Sequence, residues 1–459
     1  MKVVHVPFTF HPEPMGGTEV YVKTLSEAQR AMGIDPVIAA PGRRTERYAV
    51  DGLFVHRFAV TEQLTDVREL YGVGDAVAAR AFGNILDEER PEVVHLHALT
   101  RGASRLLIRE AMSREIPSVF TYHTPTVSCA RGTLLRWGQQ PCDGRVDTVR
   151  CAACRLQSLG VNRIASHVLG RVPRVVSHAV LRRGRAGGAW TALAMPELLR
   201  LQHSAFRDCM ADVDHIVAVC EWAGRVLETN GVPRSKMSVS RAGIACDVRP
   251  VTERSAGPRV SDTIRAAFLG RLDATKGVDL VVDAMRSAPD LRVSLDIYGI
   301  VDSPASARYR DQLIAASAGD ARIALHPPLP SRDVVKLLRG YDFVVVPSRW
   351  LETGPLIVLE AFAAATPVIG SNIGGIAELV SDGVDGILLP ADSVQAWRTI
   401  LRRVDRDREV LATLRRGIRP PRSMAAAAAD MMTVYRRVIG GREKGSFGAR
   451  PAHPLRSVH

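Results

Sequence analysis

Twice along this chain, short runs of β-branched and aromatic residues alternate with longer stretches whose apolar positions recur at helical spacing. That alternation leaves few folds open. Successive parallel strands need crossover connections, and the crossovers lay helices on both faces of the sheet. In the first half, Val3 to Phe8, Pro36 to Ala39, Leu53 to Phe58, Val93 to His97, Ser118 to His123, His215 to Val219 and Met237 to Val239 read as strands. Helices are expected from Thr18, over Gly72 to Glu89, over Ala103 to Arg114 and over Glu221 to Thr229. Residues 247–262, rich in Pro, Arg, Ser and Gly, read as a linker. The alternation restarts at Ile264 and runs to Leu389. A helix over 421–440 stands apart behind Pro420-Pro421, and 441–459 reads as a disordered tail. The expectation is an α/β chain of two doubly wound, Rossmann-like domains, 1–246 and 263–420.

At 459 residues the chain is too long for one compact core. No apolar run reaches the length of a membrane span, and Met1 to Val6 reads as a strand rather than a secretory leader, so a cytoplasmic location is expected. The net charge of +13 calls for an anionic partner: a nucleic acid, a membrane surface or a phosphorylated substrate. Between Arg101 and Arg200 there are 16 basic residues against 5 acidic ones, so the excess is concentrated there.

The stretch from Pro347 to Leu379 carries the most chemistry. It follows the apolar run Phe343 to Val346, which reads as a buried strand. Thr353-Gly354-Pro355 reads as a turn and helix start, with Thr353 as the capping residue. Glu352 stands before that helix and Glu360 two turns inside it. Gly374-Gly375 opens another helix. Two helix N-termini at the carboxyl ends of parallel strands suit an anionic ligand. Earlier, Gly270-Arg271-Leu272-Asp273-Ala274-Thr275-Lys276-Gly277 joins a strand to a helix. Arg271 and Lys276 there put two cations at the turn, suited to an anionic ligand and equally to two solvated charges. Gly16-Gly17, in the first loop, permits close backbone approach to a phosphate without forming a dinucleotide fingerprint.

The order strand, Pro-Ser, Glu352, Gly354-Pro355, apolar helix with Glu360, Pro367-Val368-Ile369 and Gly374-Gly375 resembles the donor-binding signature of family 4 glycosyltransferases of GT-B architecture. The resemblance implies two domains facing a central cleft and a nucleotide-sugar donor bound mainly by the second. It implies that Glu360 holds the ribose and that Glu352 lies by the transferred sugar and phosphates. An ionised carboxylate suits a vicinal diol, because it accepts two hydrogen bonds. Arg271 and Lys276 are implied to act on the leaving diphosphate. Gly16, Gly17, Gly270, Thr353, Gly354, Pro355 and Leu356 are implied to line the donor site, and His123 to hydrogen-bond the donor sugar. Retention of configuration without a catalytic metal or other cofactor is implied, as is a last helix that crosses back onto the first domain.

Cys129, Cys142, Cys151 and Cys154 fall in an Arg- and Gly-rich insertion at about 125–195. Clustered cysteines in a reducing compartment suit tetrahedral zinc, here structural. Cys209, Cys220 and Cys246 read as ordinary buried residues. From Val161 to Arg185 apolar residues and arginines interleave, a pattern suited to an anionic membrane face or a lipid-linked acceptor, and equally to a solvated helix pair.

The sequence therefore points to a retaining glycosyltransferase that joins a nucleotide-sugar to a saccharide or lipid-linked hydroxyl acceptor in cell-surface polysaccharide or glycolipid synthesis. It would work in the cytoplasm, peripheral at the inner membrane face. The rivals are a GT-B-like phosphorylase or sugar-nucleotide epimerase, and a basic nucleic-acid-binding module. No nucleic-acid partner is expected on the leading reading.

Overall fold

The computed structural model describes residues 1–13, 16–63, 66–183, 187–245 and 263–443. The first half places eight strands in one sheet: β1 (Lys2–Val6), β2 (Asp35–Gly42), β3 (Glu46–Val50), β4 (Leu53–Ala59), β5 (Val93–Leu96), β6 (Ser118–Tyr122), and, after the small hairpin β7 (Leu135–Arg136) and β8 (Gln140–Pro141), β9 (His215–Ala218) and β10 (Met237–Val239). Their order is β10-β9-β6-β5-β1-β2-β4-β3, parallel throughout except for the edge pair β3–β4. The second sheet holds β11 (Ile264–Arg271), β12 (Val293–Ile300), β13 (Ile323–His326), β14 (Phe343–Val346), β15 (Val368–Ser371) and β16 (Gly386–Leu389), all parallel in the order β13-β12-β11-β14-β15-β16.

The helices of the first half are α1 (Gly17–Ala31), α2 (Ala76–Glu89), α3 (Arg105–Ser113), α4 (Thr148–Ser158), α5 (Arg163–Leu169), α6 (Arg174–Arg182), α7 (Gly188–Asp212) and α8 (Glu221–Thr229). Those of the second are α9 (Val278–Arg286), α10 (Pro304–Ser317), α11 (Ser331–Leu338), α12 (Leu356–Ala363), α13 (Gly374–Leu379), α14 (Val394–Arg406), α15 (Glu409–Gly417) and α16 (Met424–Glu443). Each sheet buries its central strands between helices, and fully apolar strands such as Phe343–Val346 show no exposed face, whereas the edge strand β3 has no buried residue.

In each sheet the strand order reverses beside the first strand, between β1 and β5 and between β11 and β14. At such a point the connections leave to opposite faces and a crevice opens at the strands' carboxyl ends. The loops carrying Gly16-Gly17, Arg271, Lys276 and Glu352 all emerge there. A third apolar cluster joins the halves: Val3, Phe10, Tyr21 and Val22 pack with Leu359 of α12 and with Met424, Met431 and Tyr435 of α16. α16 thus lies on the first sheet's helix α1.

Several elements differ from expectation. The edge strand β3 and the 25-residue helix α7 were not anticipated. Helix α2 starts at Ala76 rather than Gly72, because Gly72 and Gly74 take positive φ and Asp75 caps the first turn through its carboxylate. The last helix continues past 440 to Glu443, where a disordered tail was expected to have begun. The linker at 247–262, Cys246 and the rest of the tail lie outside the described residues. The insertion between β6 and β9 carries two small cores of its own, Ala152–Leu156–Met195–Leu199 and Val180–Ala194–Leu198.

Candidate functional site

The turn after β11 presents Lys276. Asp273 accepts hydrogen bonds from the Thr275 amide at 2.8 Å and hydroxyl at 2.6 Å, which tightens the turn. Gly277 has φ +70°, and a β-carbon there would come within 2.2 Å of the Pro347 carbonyl oxygen. The turn after β11 can therefore butt directly against the loop after β14 only with glycine at 277. The Arg349 amide donates to the Thr275 carbonyl at 2.7 Å, and its guanidinium clamps Asp279 through two bonds of 2.7 Å.

This docking brings Lys276 to Glu352. The ammonium donates to both carboxylate oxygens, at 2.9 and 2.8 Å, and stands 5.8 Å from the centre of the Trp350 ring. The Ser348 hydroxyl donates to the same carboxylate. Glu352 is only 5% exposed. A buried carboxylate is retained where a cation and hydrogen bonds compensate its lost hydration. Gly374, at φ +56°, lets the start of α13 approach the backbone of Glu352, where a β-carbon would meet the Glu352 amide nitrogen at 2.8 Å.

Glu360 is half-buried on α12, one turn from Leu356. No hydrogen bond or ion pair reaches its carboxylate among the described residues, and burial pushes its pKa up to about 7. Arg271 is more open, 3.8 Å from Asp302. It also acts across the cleft on Glu19, whose carboxyl is raised by burial while the Arg271 charge opposes the shift. Glu19 in turn accepts from the Gly16 amide at 3.0 Å, at the start of α1. A β-carbon added at Gly17 or Gly354 would meet nothing within 4 Å, so both face open space.

The two halves touch around this site. Trp222 Nε1 donates to the Glu352 carbonyl at 2.9 Å, and the Glu378 carboxylate accepts from the Glu221 and Trp222 amides, each at 2.8 Å. Thr353 does not cap α12, as the sequence suggested. Its hydroxyl donates instead to the His123 carbonyl, and Pro355 occupies the cap position without a side-chain bond. The competing acceptor comes from the other half, so no local pattern announces it.

His123 follows β6 and packs edge-on to Tyr21, with ring centres 4.8 Å apart. Burial lowers it to about 3, so it is neutral. Behind it stand His97, His95 and His5, all essentially buried. The donor atoms of His5, His95 and His97 lie within 4.8 Å of one another, the only such group of three among the described residues. Their nitrogens are engaged by neighbours, so a cation would have to displace existing hydrogen bonds.

The four insertion cysteines do not form a comparable group. Cys129, Cys142, Cys151 and Cys154 are half-buried free thiols, and burial pushes Cys151 up to about 12 and raises Cys142. As placed, these residues do not make a four-thiolate centre. Cys209 and Cys220 are buried.

Sequence reasoning missed Glu19, Trp222, Ser348 and Trp350. Ser348 and Trp350 lie within the stretch already singled out, and Trp222 opens the helix after a strand's carboxyl end, the position where cleft residues are to be sought.

Comparison with known proteins agrees with this architecture. The family model for Glycosyltransferase Family 4 matches residues 15–248, and that for glycosyl transferases group 1 matches 252–419. D-inositol 3-phosphate glycosyltransferase of Mycobacterium tuberculosis is 30% identical over 191 residues, a match spanning 40% of this chain and only 38% of that relative. Among solved structures, sucrose-phosphate synthase of Thermosynechococcus elongatus superposes with a TM-score of 0.64 at 16% identity, covering 96% of this chain and all (100%) of that one. Anabaena HepE in complex with UDP and glucose gives 0.59 at 14%, covering 96% and 99% of the two chains. The catalytic domain of Arabidopsis thaliana starch synthase IV, bound to ADP and acarbose, gives 0.60 at 15%, covering 95% and 99%. With two parallel-sheet domains meeting at their switch points and both halves matched, the chain has the GT-B fold and belongs to glycosyltransferase family 4.

Proposed function

We propose that this chain transfers a sugar from a nucleotide-sugar donor to a hydroxyl acceptor with retention of configuration. The observation that carries the reading is the Lys276–Glu352 pair, set at the β11/β14 switch point where a diphosphate belongs. The donor diphosphate lies against the turn 270–277, where Lys276 and Arg271 offset the charge that grows as the sugar–phosphate bond breaks. Glu360, unpaired on α12, takes the ribose diol, and Gly354-Pro355-Leu356 with Gly16-Gly17 leave room for donor and phosphates. His123 offers a ring nitrogen to the sugar from the opposite side. Closure of the halves through Trp222 and Glu378 excludes water, which otherwise competes with the acceptor hydroxyl. No metal takes part in this scheme.

The acceptor is proposed to be a saccharide or lipid-linked hydroxyl at an anionic membrane face, the setting of cell-surface polysaccharide or glycolipid synthesis. Ile164 and Val168, one turn apart on α5, are 80% and 66% exposed, and Val175 at the start of α6 is 81% exposed. Exposed Arg163, Arg171 and Arg174 flank them. Aliphatic side chains among arginines suit insertion at a lipid headgroup boundary. No helix of the described residues is long and apolar enough to cross a membrane. Flotation with phosphatidylglycerol vesicles tests this: Ile164→Asp with Val175→Asp abolishes binding if the patch docks, and unchanged flotation dismisses it.

A structural zinc on Cys129, Cys142, Cys151 and Cys154 is a separate proposal, since the four sulfurs must draw together to hold it. One zinc per chain by elemental analysis supports it, and none dismisses it.

The direct test of donor binding is a thermal-shift panel of nucleotides. One nucleotide raises the wild-type melting temperature, and Glu360→Ala removes that shift while leaving the unliganded melt in place. An undiminished shift in Glu360→Ala contradicts the assignment.

A further inference from the structure

A single file of hydrogen bonds runs from the cleft through the first sheet to α16. His123 Nε2 meets His97 Nδ1 at 3.0 Å, His97 Nε2 meets His5 Nδ1 at 3.0 Å, and His5 Nε2 meets Gln29 Oε1 at 2.8 Å. Gln29 Nε2 then meets the Tyr435 hydroxyl at 3.2 Å, that hydroxyl meets His95 Nδ1 at 2.6 Å, and His95 Nε2 meets Thr121 Oγ1 at 2.7 Å. The groups come from α1, β1, β5, β6, the strand ends and α16.

Each neutral imidazole has one N–H and one lone pair, so every imidazole–imidazole bond fixes the next one. Burial keeps these histidines neutral. The direction of the file is then set wherever one member can only donate or only accept. Gln29 is that member, because its oxygen only accepts and its nitrogen only donates.

Two distances orient it. The 2.6 Å contact between Tyr435 and His95 falls in the range of a hydroxyl donor, and the 3.2 Å contact between Gln29 and Tyr435 in the range of an amide donor. Tyr435 therefore donates to His95 Nδ1 and accepts from the Gln29 amide, which turns the Gln29 oxygen to His5. His5 must carry its proton on Nε2, His97 on Nε2, and His123 on Nε2. His123 Nδ1, which has no partner among the described residues, is left as a lone pair.

We propose that Gln29 and Tyr435 are positioning residues that fix the tautomer of His123, so that the histidine at the cleft presents an acceptor and not a donor to the bound sugar. Its use by a sugar hydroxyl rests on the transferase reading. The tautomer itself does not. The consequence is that Tyr435 of α16, seated on α1, reaches the ligand-facing nitrogen of His123 through three intervening groups, Gln29, His5 and His97.

The test is two-bond proton–nitrogen correlation spectroscopy of nitrogen-labelled histidine in the full, ligand-free chain, with the His123 signals assigned by their loss in His123→Asn. Wild type is expected to show His123 in the Nε2–H form. Gln29→Glu, which keeps an acceptor toward His5, is expected to hold that form, and Gln29→Leu to give a mixture of the two. His123 found as Nδ1–H in wild type overturns the proposal, as does an unchanged Nε2–H signal in a folded Gln29→Leu protein. The wild-type spectrum decides the direction even if Gln29→Leu does not fold. A wild type that shows the Nε2–H form yet consumes no nucleotide-sugar would fail the transferase reading and leave the tautomer assignment standing.

Discussion

The indole N–H of Trp222, on the first helix after β9, donates to the main-chain carbonyl of Glu352 at 2.9 Å, so one half of the molecule holds the backbone that carries the other half's buried carboxylate. The same carbonyl also accepts from Gly375 at 2.5 Å, and is not orphaned when the indole is removed. Trp222→Phe should therefore cost only about 1 kcal/mol. Glu378→Ala frees two amides at the start of α8 and should cost about 1–2 kcal/mol. Urea titration checks both, and equal stability of the two variants with wild type would count against a closed contact in solution.

Gly277→Ala tests how the site is assembled. Its β-carbon would overlap the Pro347 carbonyl at 2.2 Å in a conformation that already disfavours L residues. The expected result is a loss of about 1–3 kcal/mol in stability and a larger loss of donor turnover, because Lys276 moves away from Glu352. Turnover equal to wild type would show that the docked turn is dispensable.

Ionisation of Glu360 gives a pH signature. Burial raises its pKa from 4.5 to about 7, so the unliganded folded chain holds this proton more tightly than the unfolded one. The stability this proton provides is full below 4.5 and is lost as pH rises through about 7. A ribose diol asks for the ionised form, so nucleotide affinity should rise by about tenfold between pH 6 and pH 8. Calorimetry should show that rise in wild type and a flat profile in Glu360→Gln.

The histidine file gives the opposite sign. His5 is held at about 4 and His123 at about 3, with His95 and His97 well below their ordinary value of 6.5. The unfolded chain takes up these protons first, so stability is full above 6.5 and is lost as pH falls toward 4. Urea midpoints between pH 7.5 and 5 should fall steeply, with uptake of about three to four protons on unfolding. A flat profile would contradict burial of the neutral cluster.

Much of the fold was legible because its signals are local. The run Phe343 to Val346, the Gly-Arg…Lys-Gly turn and the helix from Leu356 each declare themselves within a few residues. The order of the motifs carried the family. What escaped depends on contacts between distant segments. Thr353 looks like a cap until His123 offers a carbonyl from 230 residues away. His95 and His97 look like strand-end residues of small account until His5 and Tyr435 close the file around them. Helix α7 has no sharp apolar stripe, because the insertion wraps it on several sides, and so it gave no periodic signal.

The central claim is that Lys276, held by Glu352, receives a donor diphosphate together with Arg271. It is tested most directly by following release of nucleoside diphosphate from a panel of nucleotide-sugars by wild type and by Lys276→Ala. The account predicts slow hydrolysis of one donor by wild type and a rate lower by about 10²–10³ in a folded Lys276→Ala protein. Equal rates in the two proteins, or no donor consumed by wild type, would contradict it.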